Sequence, residues 1–403
     1  MKWHIITAEF PPQLGGVSDY TYQLAQALAS DTQDEIHVLA PESDEETSLL
    51  PRVRVHGLPK GFGLRWLLAL DRALKKAGND GTILVQYVPH GYGWKAMNLA
   101  FCIWLLRQRH RRVFVMFHEV AYPFRDSQPL KHDVLAAVHR LMAWLVLASA
   151  ERSFTSIEPY RSLLTRLAPR AQVELLRICS NVPFTGPRKI YQNGIEKPPV
   201  DWKTVGIFSN FPPDICCVLD RVVPAMLANP GIRLRLVGPG EAFVEHIRSR
   251  FPHLAQQIST TGRLAPVEAG PYLQSCDVLL QIYPDGAAGA RGTLSAALAS
   301  GVPVVTNQGN MTEPLFKTSG AVALADSEPD AICEAVEQLL SDHSAIQKIG
   351  TAGRRLYEKH FDISLTVDKL RNAVNASMGL LDGHSTADTV ERNGHANRAA
   401  SGS

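Results

Sequence analysis

The chain alternates short apolar runs with stretches of helical periodicity, and it does so twice. Apolar runs at 3–8, 35–40, 53–57, 82–87, 113–118 and 152–156 are separated by helical patterns at 17–30, 64–77, 94–109, 130–149 and 159–167. A second series places strands at 204–208, 232–237, 258–261, 277–282, 302–306 and 321–324. Its helices fall at 216–228, 241–250, 267–275, 292–300, 329–340 and 343–359. Parallel neighbours need a crossover between them, usually a helix, so this pattern predicts βαβ units and parallel sheets. At 403 residues the chain is too long for one core, and two domains follow. The fold class is therefore α/β, with two doubly wound Rossmann-like domains facing across a cleft. The first domain spans 1–185. Residues 186–203, rich in Pro and Gly and without periodicity, read as a linker. The second domain spans 204–362, a helix at 363–380 is expected to pack back, and the polar 381–403 reads as a disordered tail. In such sheets ligands bind beyond the carboxyl ends of the strands, which makes the cleft the expected site.

A formal net charge of +2 gives no general pull towards nucleic acid. The six cysteines show no C-x-x-C spacing, so buried thiols in a reducing, cytoplasmic setting are expected and no zinc site is. The apolar run at Trp3–Ala8 is too short for a signal peptide, and no segment reaches membrane-spanning length without charge.

The stretch 284–306 carries the most chemistry. The small-residue loop Pro284-Asp285-Gly286-Ala287-Ala288-Gly289-Ala290 leads to Arg291, then to a helix expected to start at Gly292-Thr293 and stop at Gly301. The first amides of a helix lack internal partners and attract anions, and Arg291 adds a charge of fork geometry. An ordinary loop with a solvated arginine is the plain alternative. In the first domain, Gly15-Gly16 precede a helix but lack the full G-x-G-x-x-G pattern, which argues against dinucleotide binding. His118 and Glu119 end a strand at the cleft edge, where His118 could donate a hydrogen bond to a sugar hydroxyl or a developing oxyanion. Tyr87 and His90 belong to another edge loop whose aromatic and polar tips suit sugars. The apolar, Arg-terminated helix near 97–112 is read as buried against its own sheet rather than docked on an anionic bilayer.

These residues resemble the GT-B glycosyltransferases, family four in particular. The resemblance rests on Pro11-Pro12 through Gly15-Gly16, His118, Leu236-Val237-Gly238-Pro239-Gly240, Thr261-Gly262-Arg263 and the run from Asp285 to Thr306. It covers residues 1 to about 375. It implies a transferase moving a sugar from a nucleotide-diphosphate donor, held mainly by the second domain, to an acceptor on the first. By this resemblance Gly15 and Gly16 face the diphosphate, His118 lies near the transferred sugar, and Gly262 and Arg263 border the base. Gly286, Gly292 and Thr293 hold sugar and phosphates, and Asn210 lies in the loop where the family carries a cation pair. The chain departs from the pattern at the two glutamates of E-x7-E, which read Ala288 and Ala296, and at 209–214, which has no cation. Arg291 is expected to take over diphosphate neutralisation, and Asp285 to contact the sugar. His90, Glu119 and Tyr87 are placed on the acceptor side. Retention of configuration is expected, and Asp19, Glu119 or Glu313 is the candidate base if the reaction inverts. No D-x-D motif flanked by apolar strand residues is present, so no metal and no cofactor beyond the substrate is expected. Two alternatives stand beside this: a sugar-nucleotide 2-epimerase of the same fold, and a catalytically weak binding or partner subunit. Donor sugar, acceptor and oligomeric state are not encoded legibly.

Overall fold

The computed structural model describes residues 1–13, 15–31, 33–42, 52–184 and 202–378. The expected linker (186–203, save Trp202 and Lys203), the tail and most of the 41–52 loop lie outside them. The first sheet comprises β1 (Lys2–Ile6), β2 (Glu35–Pro41), β3 (Val53–Leu58), β4 (Thr82–Tyr87), β5 (Val113–Phe117), β6 (Arg152–Thr155) and β7 (Val173–Leu175). Its helices are α1 (Gly16–Ala29), α2 (Leu64–Ala77), α3 (Leu99–Arg107), α4 (Leu130–Ser149) and α5 (Glu158–Leu167). The second sheet comprises β8 (Lys203–Phe208), β9 (Ile232–Val237), β10 (Ile258–Thr260), β11 (Val278–Gln281), β12 (Val304–Asn307) and β13 (Ala323–Ala325). Its helices are α6 (Pro213–Leu227), α7 (Glu241–Arg250), α8 (Pro266–Gln274), α9 (Gly292–Ser300), α10 (Pro314–Thr318), α11 (Pro329–Ser341) and α12 (His343–His360).

Both sheets are parallel and doubly wound. The first runs β3-β2-β1-β4-β5-β6-β7 and the second β10-β9-β8-β11-β12-β13. Strand order reverses between β1 and β4 and between β8 and β11, and a crevice opens beyond the carboxyl end of such a switch. Central strands are buried on both faces. All six residues of β4 are buried, as helices on both sides of a parallel sheet require. α9 is buried from Leu294 to Ser300, and its small side chains allow neighbours to come close. A Cβ on Gly350 of α12 would run into the Gly301 carbonyl. Gly301 ends α9 at φ +73°, a conformation that favours glycine.

Three elements depart from the sequence reading. The helix expected over 94–109 is broken, because Trp94, Lys95 and Ala96 take positive φ values. Asn98 restarts it as α3, its side-chain oxygen accepting from Phe101 N at 3.0 Å. β7 and α10 have only three and five residues and too little periodicity to stand out. Residues 363–378 are helical, and Val367, Leu370 and Val374 bury against Trp3 and Phe154 of the first domain. Arg371 of this helix holds Asp34 at 2.9 Å.

Candidate active site

A crevice of about 610 Å³ lies between the sheets and is lined from both domains. On the first-domain wall stand Gly15, Gly16, His90, His118 and Glu119. On the other stand Asn210, Asp285, Arg291, Gly292 and Thr293. These residues come from loops after β1, β4, β5, β8 and β11, the carboxyl edges of both sheets.

The approach to α9 is built by packing that spans the domains. Gly286 takes φ +87°, and a Cβ there would strike the Gly309 backbone, so it packs under the loop rather than on the crevice lining. Met311 N donates to Asp285 O at 2.9 Å, and Ala287 N to Asn307 O at 3.0 Å. Buried Glu313 accepts from Gly289 N at 2.7 Å and pairs with Arg177 at 2.7 Å, its side chain 1% exposed. Ile178 N donates to Gly289 O at 3.1 Å, and the Ser295 hydroxyl donates to Ile178 O at 2.7 Å. The segment after β7 thus clamps the loop and α9 to the first domain. Arg291 emerges at the α9 start, ion-paired with Asp285, its guanidinium carbon 5.1 Å from the Tyr283 ring centre. Tyr283 and Thr293 join hydroxyls at 2.8 Å. Gly292, Thr293 and Leu294 amides have no protein acceptor among the described residues, as first-turn amides do unless capped.

On the facing wall the start of α1 is partly occupied. Glu9 Oε1 accepts from Val17 N and Ser18 N, each at 3.0 Å, and a Cβ on Gly15 would run into that carboxylate. A carboxylate at a helix start satisfies unpaired amides and opposes the dipole. Gly16 faces open space.

His118 is buried, edge-on to Tyr20 at 4.9 Å, and burial pushes its pKa down to about 4. Its Nε2 lies 2.7 Å from Gln86 Oε1. With that oxygen as acceptor, Nε2 carries the proton and donates to Gln86. Nδ1, which has no protein partner among the described residues, is then left as an acceptor. In that tautomer His118 would accept from a hydroxyl through Nδ1, whereas the opposite tautomer would let Nδ1 donate as the sequence reading expected. His90 Nδ1 and Glu119 Oε2 are 3.2 Å apart, and that bond raises the His90 pKa. Burial pushes the Glu119 pKa up, but the bond to His90 and the charges of His90, His118 and Arg291 bring it down on balance.

Other expected site residues lie elsewhere. Tyr87 is fully buried beneath the sheet, its ring 5.1 Å from Phe117, and does not reach the crevice. Gly262 and Arg263 follow β10, two strands out from β8, and do not line it either. Ala288 lines the crevice, but Ala296 is a core residue of the second domain. Glu313, a candidate base, is buried and spent on Arg177 and Gly289, so it supports the loop instead. Asp19 lines the crevice and accepts from Asn181 Nδ2 at 2.9 Å. Glu9 and Arg177 went unrecognised in the sequence, because each acts on a partner only the fold brings near.

Two parallel doubly wound domains with a crevice between them are the GT-B architecture, the fold of the similar solved structures. Residues 203–342 match the family model of glycosyl transferases, group 1, so the second domain carries that family's pattern. A sucrose-phosphate synthase from Thermosynechococcus elongatus superposes with a TM-score of 0.69 at 18% identity, over 93% of this chain and 99% of that one. Anabaena HepE in complex with UDP and glucose gives 0.65 at 16%, over 93% and 99%. A putative UDP-N-acetylglucosamine 2-epimerase from Listeria monocytogenes gives 0.60 at 13%, over 94% and 96%. A search of curated proteins finds no significant match.

Proposed function

We propose that this chain is a glycosyltransferase that takes a sugar from a nucleoside-diphosphate sugar. The observation carrying the reading is the uncapped start of α9, with Arg291 beside it, facing Gly16 across a crevice at the switch points of two parallel sheets. The family match over the second domain, which carries that start, supports it. The donor's diphosphate lies against the Gly292 and Thr293 amides with Arg291 over it. Such fixed donors stabilise charge where it develops on the leaving group. Asp285 holds the guanidinium at the crevice edge before donor binds, and turns to a sugar hydroxyl afterwards. Asn210, in a loop without cations, contacts the donor as a neutral group. His118, neutral at physiological pH, accepts from a hydroxyl of the transferred sugar through Nδ1.

In the retaining course we favour, the acceptor hydroxyl attacks the anomeric carbon on the face the diphosphate leaves. The carbon–oxygen bond to phosphate breaks, and the acceptor's proton passes to a phosphate oxygen. Arg291 and main-chain amides supply the charge in this scheme, so chelation by EDTA is expected to leave the rate unchanged. Half-exposed Glu119, paired with His90, sits on the acceptor side. The six cysteines are free, which suits a reducing, cytoplasmic setting. Among the described residues no helix is long and apolar enough to cross a membrane.

The test is a panel of UDP-, GDP-, ADP- and dTDP-sugars scored by thermal shift and by release of nucleoside diphosphate. One donor should raise the melting temperature and be turned over. Epimerised sugar from donor alone would replace this reading with the epimerase. No stabilisation by any nucleotide would overturn both.

A further inference from the structure

A helix in the outer layer of a doubly wound domain buries one stripe on the sheet and turns a polar stripe to water. α5 does so, with Arg161, Ser162, Thr165 and Arg166 exposed. α4 does not. Its inner stripe, including Met142, Ala143 and Val146, is buried on the sheet. Its exposed residues Leu130, Val134, Ala137, Leu141, Trp144 and Ala148 step alternately by four and three, forming an apolar stripe along all 20 residues. Leu130 is 77% exposed and Trp144 47%. The neighbouring helices continue this surface. α3 packs along α4, and Trp66 of α2 meets Phe101 of α3 edge-on at 5.8 Å. Their outward residues include Leu64, Leu68 and Ile103. α3, expected from sequence to be buried on its sheet, buries Phe101, Cys102 and Leu105 but turns Ile103 and Arg107 outward. Among the described residues, nine of the eleven exposed large hydrophobics fall between 64 and 144.

The charge of this region differs from that of the whole. Residues 60–148 hold thirteen Lys and Arg against five Asp and Glu, whereas the full chain holds 41 against 39. Arg65, Arg72, Lys95, Arg107, Arg125 and Lys131 are all exposed. Contiguous exposed apolar surface marks an interaction site, and its cationic companions select an anionic occupant. Apolar residues with tryptophan among Lys and Arg match the boundary of an anionic bilayer. There the rings sit at headgroup level and the cations meet phosphates. Exposed Trp94 and Phe124 lie on the loops after β4 and β5, the loops that carry His90 and Glu119 to the crevice.

We propose that the outward face of α2, α3 and α4 docks on anionic lipid bilayers. Docking brings the first-domain wall of the crevice against the membrane surface. Resting on the transferase reading, it presents the crevice to acceptors carried in the bilayer.

The test is co-sedimentation of the full chain with vesicles of phosphatidylcholine, alone or mixed with phosphatidylglycerol. Binding is expected only with phosphatidylglycerol, with a blue-shifted tryptophan emission and weakening as salt rises. The double variant Leu141→Glu, Trp144→Glu should lose about tenfold or more in partition, and so should Arg65→Glu with Arg107→Glu. Both should keep the wild-type circular-dichroism melt and nucleotide thermal shift. No binding to either vesicle, or equal binding to both, would overturn the proposal. So would a dimer by light scattering that the α4 variant dissolves, without vesicle binding, since the occupant is then a second copy. Nucleotide stabilisation without vesicle binding rejects the docking face and leaves the transferase reading standing. Vesicle binding without nucleotide stabilisation does the reverse.

Discussion

The starts of α1 and α9 face each other across the crevice, and the chain treats them in opposite ways. At α1 the Glu9 carboxylate takes two first-turn amides. At α9 the first-turn amides have no protein acceptor among the described residues, and an arginine stands beside them. An anion brought from outside meets a carboxylate on one wall and open amides on the other. On the proposed reading this difference puts the donor's phosphates on the second domain, with Gly16 opposite them. The ion pair of Arg177 and Glu313 holds the α9 side ready, while α1 is tied by Glu9 and by the bond that Asn181 donates to Asp19.

The largest expected effect breaks that clamp. Glu313→Ala leaves Arg177 with little solvent and no carboxylate opposite it, and should cost about 3–5 kcal/mol of stability. Thermal unfolding reads it, and an unchanged melting temperature would mean the loop is not held this way. Arg291→Ala should lower kcat/KM about tenfold or more, because a charge-assisted contact to a phosphate contributes about 1.5–3 kcal/mol. Steady-state kinetics with the donor found by the panel decide it.

His118 sharpens the α1 side through pH. Its folded pKa of about 4 lies below its unfolded value, so the unfolded chain binds the proton first as pH falls. The histidine therefore destabilises the fold progressively between about pH 6.5 and 4, by about 1.4 kcal/mol per pH unit. Denaturant unfolding at pH 7, 6 and 5 should show a falling stability, and His118→Phe should remove up to about 1.4 kcal/mol per pH unit of it, leaving the share of His4, whose burial also pushes its pKa down to about 4. The smallest effect belongs to Glu9→Ala, which removes a helix cap and should cost about 1 kcal/mol. Nucleotide affinity should stay within about threefold, which is under 1 kcal/mol. A large gain in affinity would show that α1 is an anion site Glu9 blocks.

The sheets were legible because parallel strands buried on both faces read as continuous apolar runs. Thr82–Tyr87 and Val113–Phe117 are such runs. Arg291 and the α9 start were legible because loop, arginine, helix start and stop are local in sequence. The clamp was not, since Arg177 and Glu313 are 136 residues apart and only the packed domains bring them together. Glu9 precedes its amide partners by eight and nine residues across a turn, a reach that no periodicity signals. Tyr87 was misplaced because an aromatic at a strand's end serves core or cleft equally well by composition. The outward stripe of α4 was hidden for a related reason. A helix apolar on both faces looks in sequence like a buried one.

The most direct test is calorimetric titration of wild type and Arg291→Ala with the nucleoside diphosphate of the preferred donor and with the bare nucleoside. The variant should lose about tenfold or more in affinity for the diphosphate and none for the nucleoside. Equal losses for both, or a diphosphate affinity untouched by the substitution, would contradict an α9 start that grips the donor by its phosphates.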